Sequence, residues 1–287
     1  MSFIPRNKKG LCLIVKMKKL KYAVLAFLTL FPIFSGCDAV INTLSFFPNT
    51  SDTLCSPDSL PPETKPVTIE TADHEKLACL LLRSTNSGRL LIYFHGNAGN
   101  IDVRLPELEK IRDLGVNVLG VSYRGYGRST GSPSEEGIYS DGQAAYRFAV
   151  DSLGYAGENI IILGRSIGTT VAINTAQNKN VAKVILVTPL TNGREFAKAR
   201  HLGFLSFLAE NRFDNLGKCR NVRAPVLIIH GTQDEIIPYA LGVRLYDLIQ
   251  GKKKFVCIPG GRHNDLELVD PHAYWGSIKE FIISGEN

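Results

Sequence analysis

Three side chains set far apart in this sequence could together carry out nucleophilic acyl transfer: Ser166, Asp234 and His263. Ser166 lies in Gly164-Arg165-Ser166-Ile167-Gly168, directly after an apolar run at 159–163. Glycines on both sides let a strand and a helix approach closely. The turn between them then projects the hydroxyl outward and leaves the next backbone N–H at a helix N-terminus. The five-residue pattern alone is weak, and its position after a buried strand makes it specific.

A serine hydroxyl is a poor nucleophile until a base removes its proton. Six histidines are available. His95 and His230 each end a strand in a His-Gly pair and read as structural, while His74 falls in a hairpin turn and His201 in a connection. His263, in Gly260-Gly261-Arg262-His263-Asn264-Asp265, is the expected base, because two glycines after the last strand let a loop bring its ring to the sheet edge. His272, in the final helix, is the reserve candidate.

The base needs a carboxylate to fix its tautomer. Asp234 follows a strand directly, in His230-Gly231-Thr232-Gln233-Asp234. Glu235 is the neighbour to exclude, Asp214 is a distant second, and Asp234 could instead cap a helix starting near Pro238. The glycine-rich segment His95-Gly96-Asn97-Ala98-Gly99-Asn100 follows another strand. The main-chain N–H groups of Asn97 and Ile167 are the expected oxyanion donors; a plain turn is the alternative. No HExxH or comparable ligand set points to a metal, and no cofactor is expected. Tyr123-Arg124-Gly125-Tyr126-Gly127 lacks a third glycine in register and a Walker lysine, so it reads as a structural turn near the site and not a phosphate loop.

These groups can converge only if the body alternates strand and helix. Residues 67–71 and 76–83 predict two strands joined by a polar turn. Further strands are expected at 90–94, 117–122, 159–163, 184–187, 226–229 and 255–258. Helices are expected at 103–114, from the cap Ser132 with Pro133 at the first position to about residue 153, and at 167–177, 238–249 and 263–283. That alternation implies one α/β domain with a mostly parallel sheet and helices on both faces.

Taken together, His95-Gly96-Asn97-Ala98, the segment Ser122-Tyr123-Arg124-Gly125-Tyr126-Gly127-Arg128-Ser129, the Ser166 pentapeptide, His230-Gly231-Thr232-Gln233-Asp234 and His263-Asn264-Asp265 resemble the α/β-hydrolase superfamily. The resemblance covers roughly residues 67–283 and is nearest to the branch of Bem-type hydrolases and α/β-hydrolase-domain depalmitoylases. It implies an α/β-hydrolase fold, the chain order Ser166, Asp234, His263, and serine-dependent hydrolysis of an acyl ester or thioester. Serine at the elbow separates it from the similar dehalogenases and epoxide hydrolases. Residues 188–222 then occupy the place of a short lid, with an amphipathic stretch at Phe204, Leu205, Phe207 and Leu208; a helix packed on the core is the alternative. A peptidase or amidase on the same triad, or a silent binding module on the same scaffold, are the rival readings.

Composition and charge restrict partners. The formal charge is +6, yet seven of the 33 basic residues lie in residues 1–36, which hold no acid. The rest carries 26 basic groups against 27 acids. A near-neutral body offers no footprint for nucleic acid. Residues 1–36 read as a leader: Lys18, Lys19 and Lys21, an apolar run at 22–34, then Ser35 and Gly36 before Cys37. This resembles a bacterial lipoprotein signal peptide, in which Cys37 would be acylated and tether the chain to the cell-envelope membrane, facing the periplasm or exterior. An uncleaved transmembrane anchor and ordinary secretion are the alternatives, the run being shorter than the roughly 20 residues a span needs. Met17 could be the true start. Residues 37–66 read as a proline-rich tether and 67–287 as the hydrolase domain. Outside the cytosol, some of Cys55, Cys79, Cys219 and Cys257 could pair. An acyl substrate, small or lipid-like, is the expected partner.

Overall fold

Eight strands, most of them uninterrupted apolar runs, pair into one sheet: β1 (Thr64–Glu70), β2 (Lys76–Leu82), β3 (Leu90–Phe94), β4 (Asn117–Val121), β5 (Ile160–Arg165), β6 (Lys183–Val187), β7 (Val226–Gly231) and β8 (Lys253–Ile258). A computed structural model describes residues 42, 45–50, 60–85, 87–201, 206, 209–210 and 212–284. The chain separates into two units, residues 1–44 and 45–287, and the sheet belongs to the second. The expected leader with Met17 and Cys37, Cys55, and residues 204, 205, 207 and 208 of the expected lid lie outside the described residues.

The strand order is β8-β7-β6-β5-β3-β4-β2-β1. Every pairing is parallel except β1 with β2 and β2 with β4. β3 to β7 are buried along their whole length, as strands covered on both faces must be. One face is covered by α2 (Glu135–Arg147), α3 (Gly168–Ala176) and α6 (Tyr239–Leu248), whose Ile138, Val171 and Leu245 pack with Ile92 and Phe94. On the other face Ile111 of α1 (Leu105–Arg112) and Ile278 of α8 (Pro271–Ile283) pack with Leu91 and Leu163. Each such side chain contributes about 1.5–3 kcal/mol by burial. Among the described residues there are also the short α-helices α4 (Gly193–Ala199), α5 (Asn215–Lys218) and α7 (Leu266–Val269). Among the described residues no helix is long and apolar enough to cross a membrane.

Register brings the reactive segments to one edge. Phe94 aligns with Gly164, Arg165 with Val187, and Val187 with Ile229. The segments that follow β3, β5 and β7 therefore leave the sheet side by side at the carboxyl ends of its strands, where open α/β sheets bind ligands.

The structure corrects three expectations. The cap of α2 is Ser134, whose side chain accepts from Gly137 N at 3.0 Å, and not Ser132. The expected helix at 263–283 is a loop followed by two helices. Asp270 caps the second by accepting from Ala273 N at 2.8 Å, and Pro271 supplies its first residue. The tether boundary at 66 also moves. β1 begins at Thr64, and Phe46 is buried in the core against Phe213, with ring centroids 6.2 Å apart. Phe47 and Pro48 pair with Ala98 and Gly99. Cys79, Cys219 and Cys257 are free thiols, the first two buried.

Candidate active site

Ser166 leaves the end of β5 with φ +54°, a left-handed conformation that costs a residue with a Cβ about 1–2 kcal/mol. Its N–H donates to Val187 O at 2.9 Å, which ties the strained turn to the neighbouring strand. The two flanking glycines make the turn possible. A Cβ at Gly164 would lie 2.3 Å from Gly168 O, and one at Gly168 would lie 2.2 Å from Phe94 O. Both obstacles are backbone, so no side chain could move aside. Strand, elbow and helix thus close on one another, and the serine is pushed out at the sheet edge.

His263 stands in the loop between β8 and α7. Its Nε2 is 3.0 Å from Ser166 Oγ. Its Nδ1 is 2.8 Å from Asp234 Oδ2 and 3.0 Å from Oδ1. A carboxylate only accepts, so Nδ1 carries the proton, and Nε2 of the neutral ring is left to accept from the serine hydroxyl. His263 N donates to Glu235 Oε2 at 3.3 Å, which uses the neighbouring acid to hold the loop.

Asp234 is buried just beyond β7. Its Oδ1 accepts from Ile236 N at 2.9 Å and Ile237 N at 2.8 Å. His230 Nε2 lies 3.2 Å from its Oδ2. Burial alone would raise its pKa. The bonds from His230 and His263, and the Ile237 N–H, outweigh that and hold the carboxyl well below the usual carboxylate range. The helix-cap alternative does not describe it, because the N-cap position of α6 is Pro238.

The other candidates are elsewhere. His74 is exposed and 2.9 Å from Glu70 Oε1. His201 and His272 are exposed. Asp214 caps α5, accepting from Gly217 N at 2.9 Å. Ile167 is the N-cap residue of α3, so its N–H belongs to the amides a helix leaves without an internal partner. The Asn97 segment lies beside the elbow: a Cβ at Gly96 would be 3.5 Å from Ser166 Cβ. Two N–H groups at a helix start and an adjacent loop are suited to holding a developing negative charge, reinforced by the helix dipole.

Two supports escaped the sequence reading. His230 touches the carboxylate, although its His-Gly pair only suggested a strand end. Arg165, within the pentapeptide, is buried 3.5 Å from Glu107 Oε1, and Glu107 Oε2 accepts from Tyr93 Oη at 2.7 Å. An arginine in a buried turn demands an acid, but nothing in the sequence singles out Glu107 from α1.

The chain belongs to the α/β-hydrolase superfamily: a family model described as the α/β hydrolase fold matches residues 89–216, and a relative named for that domain is 34% identical over 74% of the chain. Among its relatives, α/β-hydrolase domain-containing protein 17B of Homo sapiens is 34% identical over 218 residues, covering 74% of this chain and 73% of that protein. The α/β-hydrolase domain-containing protein aho-3 of Caenorhabditis elegans is 34% identical over 214 residues; the match covers 74% of this chain and 63% of that relative, less than two thirds of its length. The fold is similar to that of the Pyrococcus furiosus esterase Pf2001, with a TM-score of 0.70 at 20% identity over 83% of this chain and 96% of that one.

Proposed function

We propose that this chain is a serine hydrolase that cleaves an acyl ester or thioester through Ser166, His263 and Asp234. Ser166 Oγ attacks the acyl carbonyl carbon while His263 Nε2 takes the hydroxyl proton. Asp234 keeps the His263 ring oriented and stabilises the imidazolium that forms. The carbonyl oxygen, now negative, accepts from Asn97 N–H and Ile167 N–H, each donor being worth about 3 kcal/mol in such sites. Collapse of the tetrahedral species expels the alcohol or thiol, which receives the proton from His263. Water, deprotonated by the same ring, then attacks the acyl-enzyme and releases the carboxylic acid and the free serine.

The observation that carries this reading is the unbroken chain Ser166 Oγ, His263 Nε2, His263 Nδ1, Asp234 Oδ2, with steps of 3.0 and 2.8 Å across the ring. Turnover of p-nitrophenyl esters by the native protein, lost in Ser166→Ala and His263→Ala, tests it. Native protein inactive on every acyl ester and thioester would overturn it, and anilides cleaved in place of esters would move it to an amidase.

The leader belongs to the same proposal. Acylation of Cys37 would tether residues 45–287 to an envelope membrane by an N-terminal lipid, with lipid-like acyl groups as accessible substrates. Intact-mass analysis tests it: a mature chain starting at acylated Cys37 is expected, and a full-length leader would contradict it.

A further inference from the structure

The segment Tyr123-Arg124-Gly125-Tyr126 and the His95 ring hold three successive carbonyls of the loop beside Ser166. Tyr123 Oη donates to His95 O at 2.9 Å. Tyr126 Oη donates to Asn97 O at 2.8 Å. His95 Nδ1 lies 2.6 Å from Gly96 O, and a carbonyl only accepts, so Nδ1 carries the proton and donates. The peptide units 95–96, 96–97 and 97–98 are therefore each pinned by a side chain.

In a trans peptide the C=O and N–H point in opposite directions. With Gly96 O turned to the His95 ring, Asn97 N–H must point away from that ring. Rotating the 96–97 unit would break the His95 bond, and neighbouring units held by Tyr123 and Tyr126 resist the compensating rotations. The three rings are themselves packed together: His95 lies 4.4 Å from Tyr123 and 5.2 Å from Tyr126, centroid to centroid, and all three are buried. Burial lowers the His95 pKa to about 3, so the ring stays neutral and keeps this tautomer. The buried His95 Nε2 has no hydrogen-bond partner among the described residues, so the ring's hydrogen bonding there is committed to Gly96 O. Phe47 N donating to Asn97 Oδ1 at 2.9 Å fixes the same residue from its side chain.

We infer that His95, Tyr123 and Tyr126 are positioning residues that preset the Asn97 amide as an oxyanion donor. Without them a peptide flip would aim a carbonyl at the negative charge it should neutralise. This inference rests on the proposed serine-hydrolase reading. It assigns a role in catalysis to a tyrosine pair whose sequence suggested only a structural turn. Its consequence is selective: the clamp matters when charge develops on the substrate oxygen and little when substrate merely binds.

Tyr123→Phe and Tyr126→Phe each remove one hydroxyl and keep the ring packing. Active sites are first counted by fluorophosphonate titration, so that rates refer to intact enzyme. For either variant, kcat per titrated site on a p-nitrophenyl ester is expected to fall about tenfold or more, with KM within about twofold. Affinity for a trifluoromethyl ketone, whose serine adduct carries an oxyanion, should weaken in the same proportion as kcat. A purely structural role would lower the titrated fraction and the melting temperature and leave kcat per site and ketone affinity unchanged. That result in either variant would overturn the inference, and a variant that does not fold leaves the other to decide it. Failure of native protein to react with the fluorophosphonate would count against the serine-hydrolase reading instead.

Discussion

His230 Nε2 and His263 Nδ1 meet the same oxygen, Asp234 Oδ2, at 3.2 and 2.8 Å. His230 Nε2 is also 2.9 Å from Ile237 O. Both of its neighbours are acceptors, so that nitrogen carries a proton. The ring cannot drift, because Gly242 packs against it: a Cβ there would lie 2.2 Å from His230 Nδ1. Asp234 is thus satisfied by two imidazoles and two backbone amides, which is why a buried carboxylate can stay ionised beside the His263 ring.

Replacing that carboxylate should show in both rate and stability. Asp234→Asn keeps the shape and presents the wrong hydrogen-bonding partner to His263, so kcat is expected to fall by about 10⁴-fold. The native pKa is depressed, so its stabilisation is present above the unfolded-state value of 3.8 and is lost as pH falls toward the lower folded value. Denaturant titrations should find the variant less stable than native at pH 7, with the gap narrowing below about pH 4. A gap that widens in acid would refute the assigned ionisation.

The elbow stores strain at Ser166, where φ is +54°. Ser166→Ala retains a Cβ and keeps the strain, whereas Ser166→Gly relieves it. The glycine variant should unfold at higher denaturant than the alanine variant, by up to about 1 kcal/mol after glycine's entropic cost. An alanine variant more stable than the glycine variant would show that the turn is unstrained.

Close approach makes Gly168 irreplaceable. A Cβ there would stand 2.2 Å from Phe94 O and 2.6 Å from His95 O, both backbone atoms. Gly168→Ala should cost about 3 kcal/mol or more by forcing helix and strand apart. Gly88, with nothing among the described residues within 4 Å of the same position, supplies the control, and Gly88→Ala should stay within about 0.5 kcal/mol. Equal thermal stability of the two variants would contradict the packing.

What the sequence reveals and what it hides divide along physical lines. Strand and helix periods, two glycines around Ser166 and reactive residues after separate strands are local patterns, so the sheet, the elbow and the residues now found at one edge could be read directly. Contacts made by non-local packing leave no such trace. Phe46 sits in a proline-rich stretch that reads as tether, yet it fills space beside Phe213, 167 residues further along. His230 is indistinguishable from any strand-end histidine until β7 and the Asp234 turn bring it against the carboxylate. The break between α7 and α8 has a local signal in Asp270-Pro271, since an aspartate before proline supplies both a cap and a first-turn residue.

Covalent labelling tests the central proposal most directly. Native protein treated with a fluorophosphonate probe should gain one adduct mass, mapped by peptide sequencing to Ser166 and reduced sharply in His263→Ala. Labelling of Ser166→Ala to the same extent as native protein would place the nucleophile elsewhere and contradict the proposed chemistry.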